Sequence, residues 1–139
     1  MNEPALMRKL LAPGQHVAVV GVSWKPHRAS YRVAERMIQA GLNVSLVNPS
    51  LAPGPLFGRP VYADLQAVVD TVGAIDWVDV FRGVEHLPAL LEQSLSVGAK
   101  GIWGQLEIID EAVAERAERA GLAVVMDRCP AIELNQLGR

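Results

Sequence analysis

A chain of 139 residues, half of them hydrophobic and a fifth charged, is long enough for one buried core without disulfides or metals and too apolar for a disordered segment. Its formal net charge of −2 gives no bulk attraction to nucleic acid or an anionic membrane, so any positive site must be local. The single cysteine, Cys129, excludes an internal disulfide and any CxxC metal or redox motif.

The first residues, MNEPALMRKLLAPGQH, carry an acid near the start and no long apolar stretch. Leu6, Leu10 and Leu11 suit a short amphipathic helix better than a signal peptide. No run approaches the ~18 apolar residues of a membrane span. The chain therefore reads as an intracellular, cytoplasmic protein with neither a membrane nor a nucleic acid as its partner.

Five apolar runs follow, over 16–22, 43–47, 75–81, 100–103 and 122–126. They are short, rich in valine and isoleucine and mostly unalternating, as parallel strands covered on both faces are. Helical patterns lie between them over 30–40, 65–72, 85–97 and 111–120. Val33, Met37 and Ile38 form one apolar face in the first of these. In the last, Val113, Ala117 and Ala120 oppose Glu115, Arg116, Glu118 and Arg119. Asp64 and Asp110 stand at N-cap positions, and Gly41, Gly98 and Gly121 stand just past helix ends. The segment 49–60, with four prolines and two glycines, is no helix and reads as an ordered loop over the sheet edge. Strands alternating with helices predict one domain over 1–139: an α/β fold with a doubly wound, parallel five-stranded sheet and helices on both faces.

In such a fold ligands bind beyond the carboxyl ends of the strands. The first strand is followed by Gly21, Val22, Ser23, Trp24, Lys25, Pro26, His27, Arg28 and Ser30. Glycine permits close approach, a helix beginning near Ser30 offers free N–H groups to a phosphate, and Lys25 and Arg28 add charge. The pattern is neither GxGxxG nor GxxxxGK[ST]. No acid ends the second strand to hold a ribose diol; Asn48-Pro49 stands there instead, which argues against an ordinary NAD dehydrogenase.

The remaining candidates carry less. His16 and His86 read as structural or solvent-facing, while His27 lies in the basic turn. Cys129 follows Arg128 at the ligand edge, and Pro130 suits the first turn of a further helix. Trp24 and Trp103 are candidates to stack on a ligand, and Trp77 reads as core. Asp76, Asp79 and Arg82 are expected around the outlet of the third strand.

With GVSWKPHRASYRVAERM, LVNP, DWVDVFR, IWGQ and VVMDRCPAIE in this order, the chain resembles the small stand-alone CoA-binding proteins. These are similar to the CoA-binding domain of the succinyl-CoA synthetase α subunit. The resemblance runs from about 5 to 137 and implies a Rossmann-like domain holding coenzyme A by its 3′-phospho-ADP portion. By position, Gly21, Val22, Ser23, Lys25, Arg28 and Ser30 would contact the phosphates, with Tyr31 close by. Val47, Asn48 and Pro49 would border the adenosine, and Val80, Phe81 and Arg82 would line the neighbouring strand end.

Two departures stand out. Glu107 occupies a place where the family usually has glycine, and the synthetase's histidine-bearing second domain has no counterpart here. The expected role is therefore binding of coenzyme A or an acyl-CoA without catalysis or metal. Alternatives are a nucleotide-dependent oxidoreductase, one component of an acyl-CoA synthetase that needs a partner chain, or a regulatory protein whose partner responds to coenzyme occupancy.

Overall fold

The computed structural model describes every residue from Met1 to Arg139. The elements run α1 (Pro4–Leu10), β1 (His16–Val20), α2 (Ala29–Gln39), β2 (Asn43–Val47), β3 (Val61–Tyr62), α3 (Leu65–Thr71), β4 (Trp77–Val80), α4 (Leu87–Ser96), β5 (Gly101–Gly104), α5 (Glu111–Arg119), β6 (Ala123–Val125) and α6 (Pro130–Gln136). The sheet is parallel throughout, in the order β3-β2-β1-β4-β5-β6. It has six strands, not the five expected. The addition is the two-residue β3, which follows Pro60 and pairs Val61 and Tyr62 with Leu46 and Val47 of β2. Two residues carry no periodic signal, so only the neighbouring strand makes β3 a strand.

Alternate strand residues feed two apolar layers. Ala18, Val20, Val78 and Ile102 face α3, α4 and α5, packing with Leu65, Val68, Leu87, Leu91, Val113 and Ala117. Val17, Val19, Trp77 and Trp103 face α1, α2 and α6, packing with Leu10, Val33, Met37 and Leu134. Helices thus cover both faces, as predicted.

Asp64 and Asp110 are the N-caps expected, accepting the N–H groups of Ala67 at 2.8 Å and Val113 at 3.1 Å. The helix predicted over 85–97 divides instead into a 3-10 turn, Val84–His86, and α4. Pro88 lies in the first turn of α4, where its missing N–H costs nothing.

Both ends of the sheet are closed. At one end the edge strand β3 bonds its Val61 N–H to the Pro53 carbonyl of the loop before it at 3.1 Å, and that loop packs Leu51, Leu56 and Phe57 onto the α2 layer. At the other end Asn2 lies along β6. Its N–H donates to the Val124 carbonyl at 3.3 Å, its side-chain amide donates to the Met126 carbonyl at 2.8 Å, and its Oδ1 accepts the Met126 N–H at 2.9 Å.

At the amino ends of the strands His16 is a buried tie, as its structural reading anticipated. Its Nδ1 lies 2.6 Å from the Ala74 carbonyl and its Nε2 2.7 Å from Ser45 Oγ. Its N–H donates to Asp76 Oδ2 at 2.7 Å. Asp76 therefore belongs to the entrance of β4 and not to its outlet, because it precedes the strand.

Candidate functional site

The chain from β1 crosses to β2 on one side, while β4 returns to lie on β1's other side. The crevice between the carboxyl ends of β1 and β4 is thus the topological switch point of the sheet. Gly21 turns the chain there at φ +89°, and its α-carbon lies so close to β4 that a Cβ would sit 2.7 Å from the Phe81 carbonyl oxygen. The close approach that Gly21 permits is to the neighbouring strand end.

Beyond Gly21 the loop folds on its own hydroxyls. The Ser23 N–H donates to Ser30 Oγ at 2.8 Å, and the Lys25 N–H donates to Ser23 Oγ at 3.0 Å. Each hydroxyl is used as an acceptor, which leaves its own proton free for an anionic oxygen. Asn48 holds the loop from the β2 side: its amide donates to the Val22 carbonyl at 2.8 Å and its Oδ1 accepts the Ser50 N–H at 2.8 Å. No side chain caps α2, so its first-turn N–H groups and positive dipole end are left to the cleft.

These groups enclose a cleft of about 500 Å³ lined by Gly21, Val22, Ser23, Lys25, Arg28, Ser30, Asn48 and Phe81, together with Trp24, Ala29 and Leu51. Lys25 and Arg28 are exposed. Neither enters an ion pair, although Lys25 Nζ lies 5.8 Å from the centre of the exposed Trp24 ring, within reach of a cation–π contact. The cleft is therefore positive and rich in donors.

A second cleft of about 300 Å³ lies on the opposite face of the same strand ends. Val47, Pro49 and Arg82 line it with Val20, Asp64, Leu65, His86, Leu90 and Gln93. The expected site residues are thus divided between two clefts. Tyr31 and Val80 line neither. Tyr31 packs its ring against Phe57 at a centroid distance of 4.6 Å, and Val80 is wholly buried in the sheet. Asp64, His86, Leu90 and Gln93 had no signal as site residues, since only the packing of α3 beside α4 brings them together.

The structure corrects two further expectations. Trp103 is no stacking platform: it is fully buried, lies 4.9 Å from the Trp77 ring, and donates its indole N–H to the Arg128 carbonyl at 2.8 Å. Trp77, core as expected, donates to the Leu10 carbonyl at 2.8 Å. Asp79 does not join Arg82 around the strand outlet: its side chain points into the core, is fully buried and makes no ion pair with Arg82.

Burial pushes the Asp79 carboxyl well above the ordinary carboxylate range, against a smaller opposing effect of the hydrogen bond from Gln105. This fixes the sign of a pH effect. A folded-state pKa above the unfolded one means that stability falls as pH climbs from the ordinary carboxylate range towards the folded value, by at most about 1.4 kcal/mol per unit for one proton. Asp79→Asn removes that term. In paired urea titrations the variant should gain on the wild type between pH 5 and pH 8; a difference that does not change with pH would show that Asp79 is ionised throughout.

The IWGQ turn explains the departure at Glu107. The chain folds back over Gly104, Glu107 adopts φ +67°, and its N–H donates to Asp127 Oδ1 at 2.7 Å. A left-handed conformation costs an L-residue about 1–2 kcal/mol, partly offset by the greater unfolded-state freedom of glycine. Glu107→Gly should therefore stabilise the protein by about 0.5–1 kcal/mol, read as a higher urea midpoint with an unchanged slope. A lowered midpoint would show that the Glu107 side chain contributes more than the strain.

Cys129 is half-buried at the N-cap of the short α6 and packs against the α2 layer. No group of three His, Cys, Asp or Glu side chains is placed to hold a metal ion, and no helix is long and apolar enough to cross a membrane.

A family model described as "CoA binding domain" matches residues 15–135. A protein of Bacillus subtilis (strain 168), YneT, is 32% identical over 125 residues, covering 90% of this chain and 89% of that protein. Among solved structures, a Thermus thermophilus protein superposes with a TM-score of 0.87 at 29% identity, covering 97% of this chain and 98% of its own. A Pyrococcus horikoshii OT3 protein superposes with a TM-score of 0.87 at 28% identity, covering 99% and 93%.

Proposed function

Because the chain belongs to the CoA-binding domain family, we propose that it binds coenzyme A or an acyl-CoA through the phospho-ADP portion and catalyses no reaction on it. The observation that carries this reading is the first cleft. It combines an uncapped helix end, two serine hydroxyls with free protons and two unpaired cations at the switch point of the sheet. In this reading the phosphates lie against Gly21, Val22, Ser23, Lys25, Arg28 and Ser30, with Tyr31 behind them bracing the wall through Phe57.

The adenosine lies across the strand ends towards the second cleft. Val47 and Pro49 border it there, and Asn48 fixes the rim between the two clefts. Phe81 and Arg82 line the end of β4, and Val80 supports them from the core. The lining of this second cleft is mostly apolar, which suits the faces of a base, and Asp64, Gln93 and His86 offer polar edges.

Isothermal calorimetry tests the reading directly. Coenzyme A and acetyl-CoA should give saturable heat and bind more tightly than NAD(H) or NADP(H). Absence of saturable heat with both coenzyme A and acetyl-CoA would overturn the proposal. Tighter binding of a nicotinamide dinucleotide would favour a nucleotide-dependent oxidoreductase instead.

A further inference from the structure

Asp79 and Gln105 form a buried polar pair that neither the fold nor the phosphate cleft explains. They stand at the carboxyl ends of β4 and β5, each two residues beyond a tryptophan of the α2 layer, and so both point towards that layer. The Gln105 side-chain amide donates to Asp79 Oδ1. Asp79 Oδ2 is enclosed and has no partner, whereas Gln105 Oε1 accepts no hydrogen bond and is not enclosed. A carboxyl group at this depth is costly, and an apolar side chain of similar size would pack without that cost. What the carboxyl does achieve is orientation: with its nitrogen held by Asp79, the Gln105 amide presents its carbonyl oxygen outward.

That oxygen lies at the same sheet edge as the phosphate cleft and on the same face as α2. β5 is two strands from β1, or about 10 Å across the sheet. This edge is also where exposed apolar side chains collect. Of the exposed large hydrophobic residues, Trp24, Val84, Leu106, Ile109 and Ile132 lie in or just after the turns that leave the strands' carboxyl ends. An amphipathic chain leaving the phosphate cleft would meet one fixed acceptor among apolar neighbours.

We propose that Gln105 recognises the amide-bearing arm of the coenzyme, its carbonyl oxygen accepting an N–H from that arm, and that Asp79 is the positioning residue that sets the Gln105 amide. The inference rests on the coenzyme A reading above and deepens it: the protein distinguishes the whole coenzyme from its nucleotide end.

The test compares coenzyme A with its nucleotide fragment, 3′-phospho-ADP, by calorimetry on the intact protein. Gln105→Leu should weaken coenzyme A about 10-fold, the value of one buried hydrogen bond, and leave the fragment within about 2-fold. Asp79→Asn keeps an acceptor for the Gln105 amide and should retain coenzyme A affinity, whereas Asp79→Leu should match Gln105→Leu. If Asp79→Leu fails to fold, the Gln105→Leu and Asp79→Asn pair still decides. Equal weakening of both ligands by Gln105→Leu, or of neither, would overturn the inference and leave the coenzyme A reading standing. A wild-type protein that binds neither ligand would end both.

Discussion

Replacing Gly21 with alanine should cost the fold about 2–4 kcal/mol, from a left-handed backbone compounded by a backbone clash. The added Cβ would lie 2.7 Å from the Phe81 carbonyl oxygen, with φ at +89°. The clash is with backbone, held in place by the Phe81 N–H bond to the Val20 carbonyl at 2.9 Å, which cannot swing aside as a flexible side chain can. Gly98 is the control: its φ is +75° but nothing lies within 4 Å of a built Cβ. Gly98→Ala should therefore show only the conformational strain, about 1 kcal/mol. Urea titrations of the two variants separate the terms, and equal losses would refute the close contact between the β1 and β4 ends. The same substitution would push apart the strand ends between which the phosphate cleft opens.

Removing both cations of the first turn should lower coenzyme A affinity about 100-fold at low salt, two charge-assisted contacts at about 1.5 kcal/mol each. Lys25 and Arg28 are exposed and enter no ion pair. The Lys25→Ala, Arg28→Ala double variant should accordingly unfold within about 0.5 kcal/mol of the wild type. Its affinity deficit should shrink as salt is added, since exposed charges are screened over about 10 Å at 0.1 M. Undiminished binding by a folded double variant would remove the electrostatic basis of the phosphate assignment.

Five of the six strands were legible because buried parallel strands leave valine-rich runs, and the helices because their apolar faces and caps recur at known spacings. Boundaries were less so. The run over 16–22 continues in apolar character through Val22, yet β1 stops at Val20 because Gly21 leaves the extended region. At the site, the fold's rule that ligands gather at carboxyl ends found the residues of the first cleft. It did not divide them from those of the second, since the two clefts lie on opposite faces of the same strand ends.

Side-chain direction was the part hidden from the sequence. In DWVDVFR both acids look equally able to reach a ligand, but strand placement sends Asp76 to the entrance of β4 and Asp79 into the core. The partner of Asp79 is 26 residues away, a distance no local pattern spans. The burial of Trp103 is hidden in the same way, because only its register between Asp79 and Val125 seals it beneath the α2 layer.

The clasp of Asn2 along β6 bears on how the protein behaves at high concentration. A bare outer strand is a template onto which another molecule can add its own, and chains of such additions end as aggregates. β6 is only three residues long, and Asn2 already occupies the Val124 carbonyl and both polar backbone groups of Met126. At the far side the edge strand β3 is only two residues long and its Val61 N–H is already bonded to the Pro53 carbonyl at 3.1 Å, so growth by strand addition has little to start from at either end. Solubility is thus guarded in part by one amide side chain far from the ligand edge.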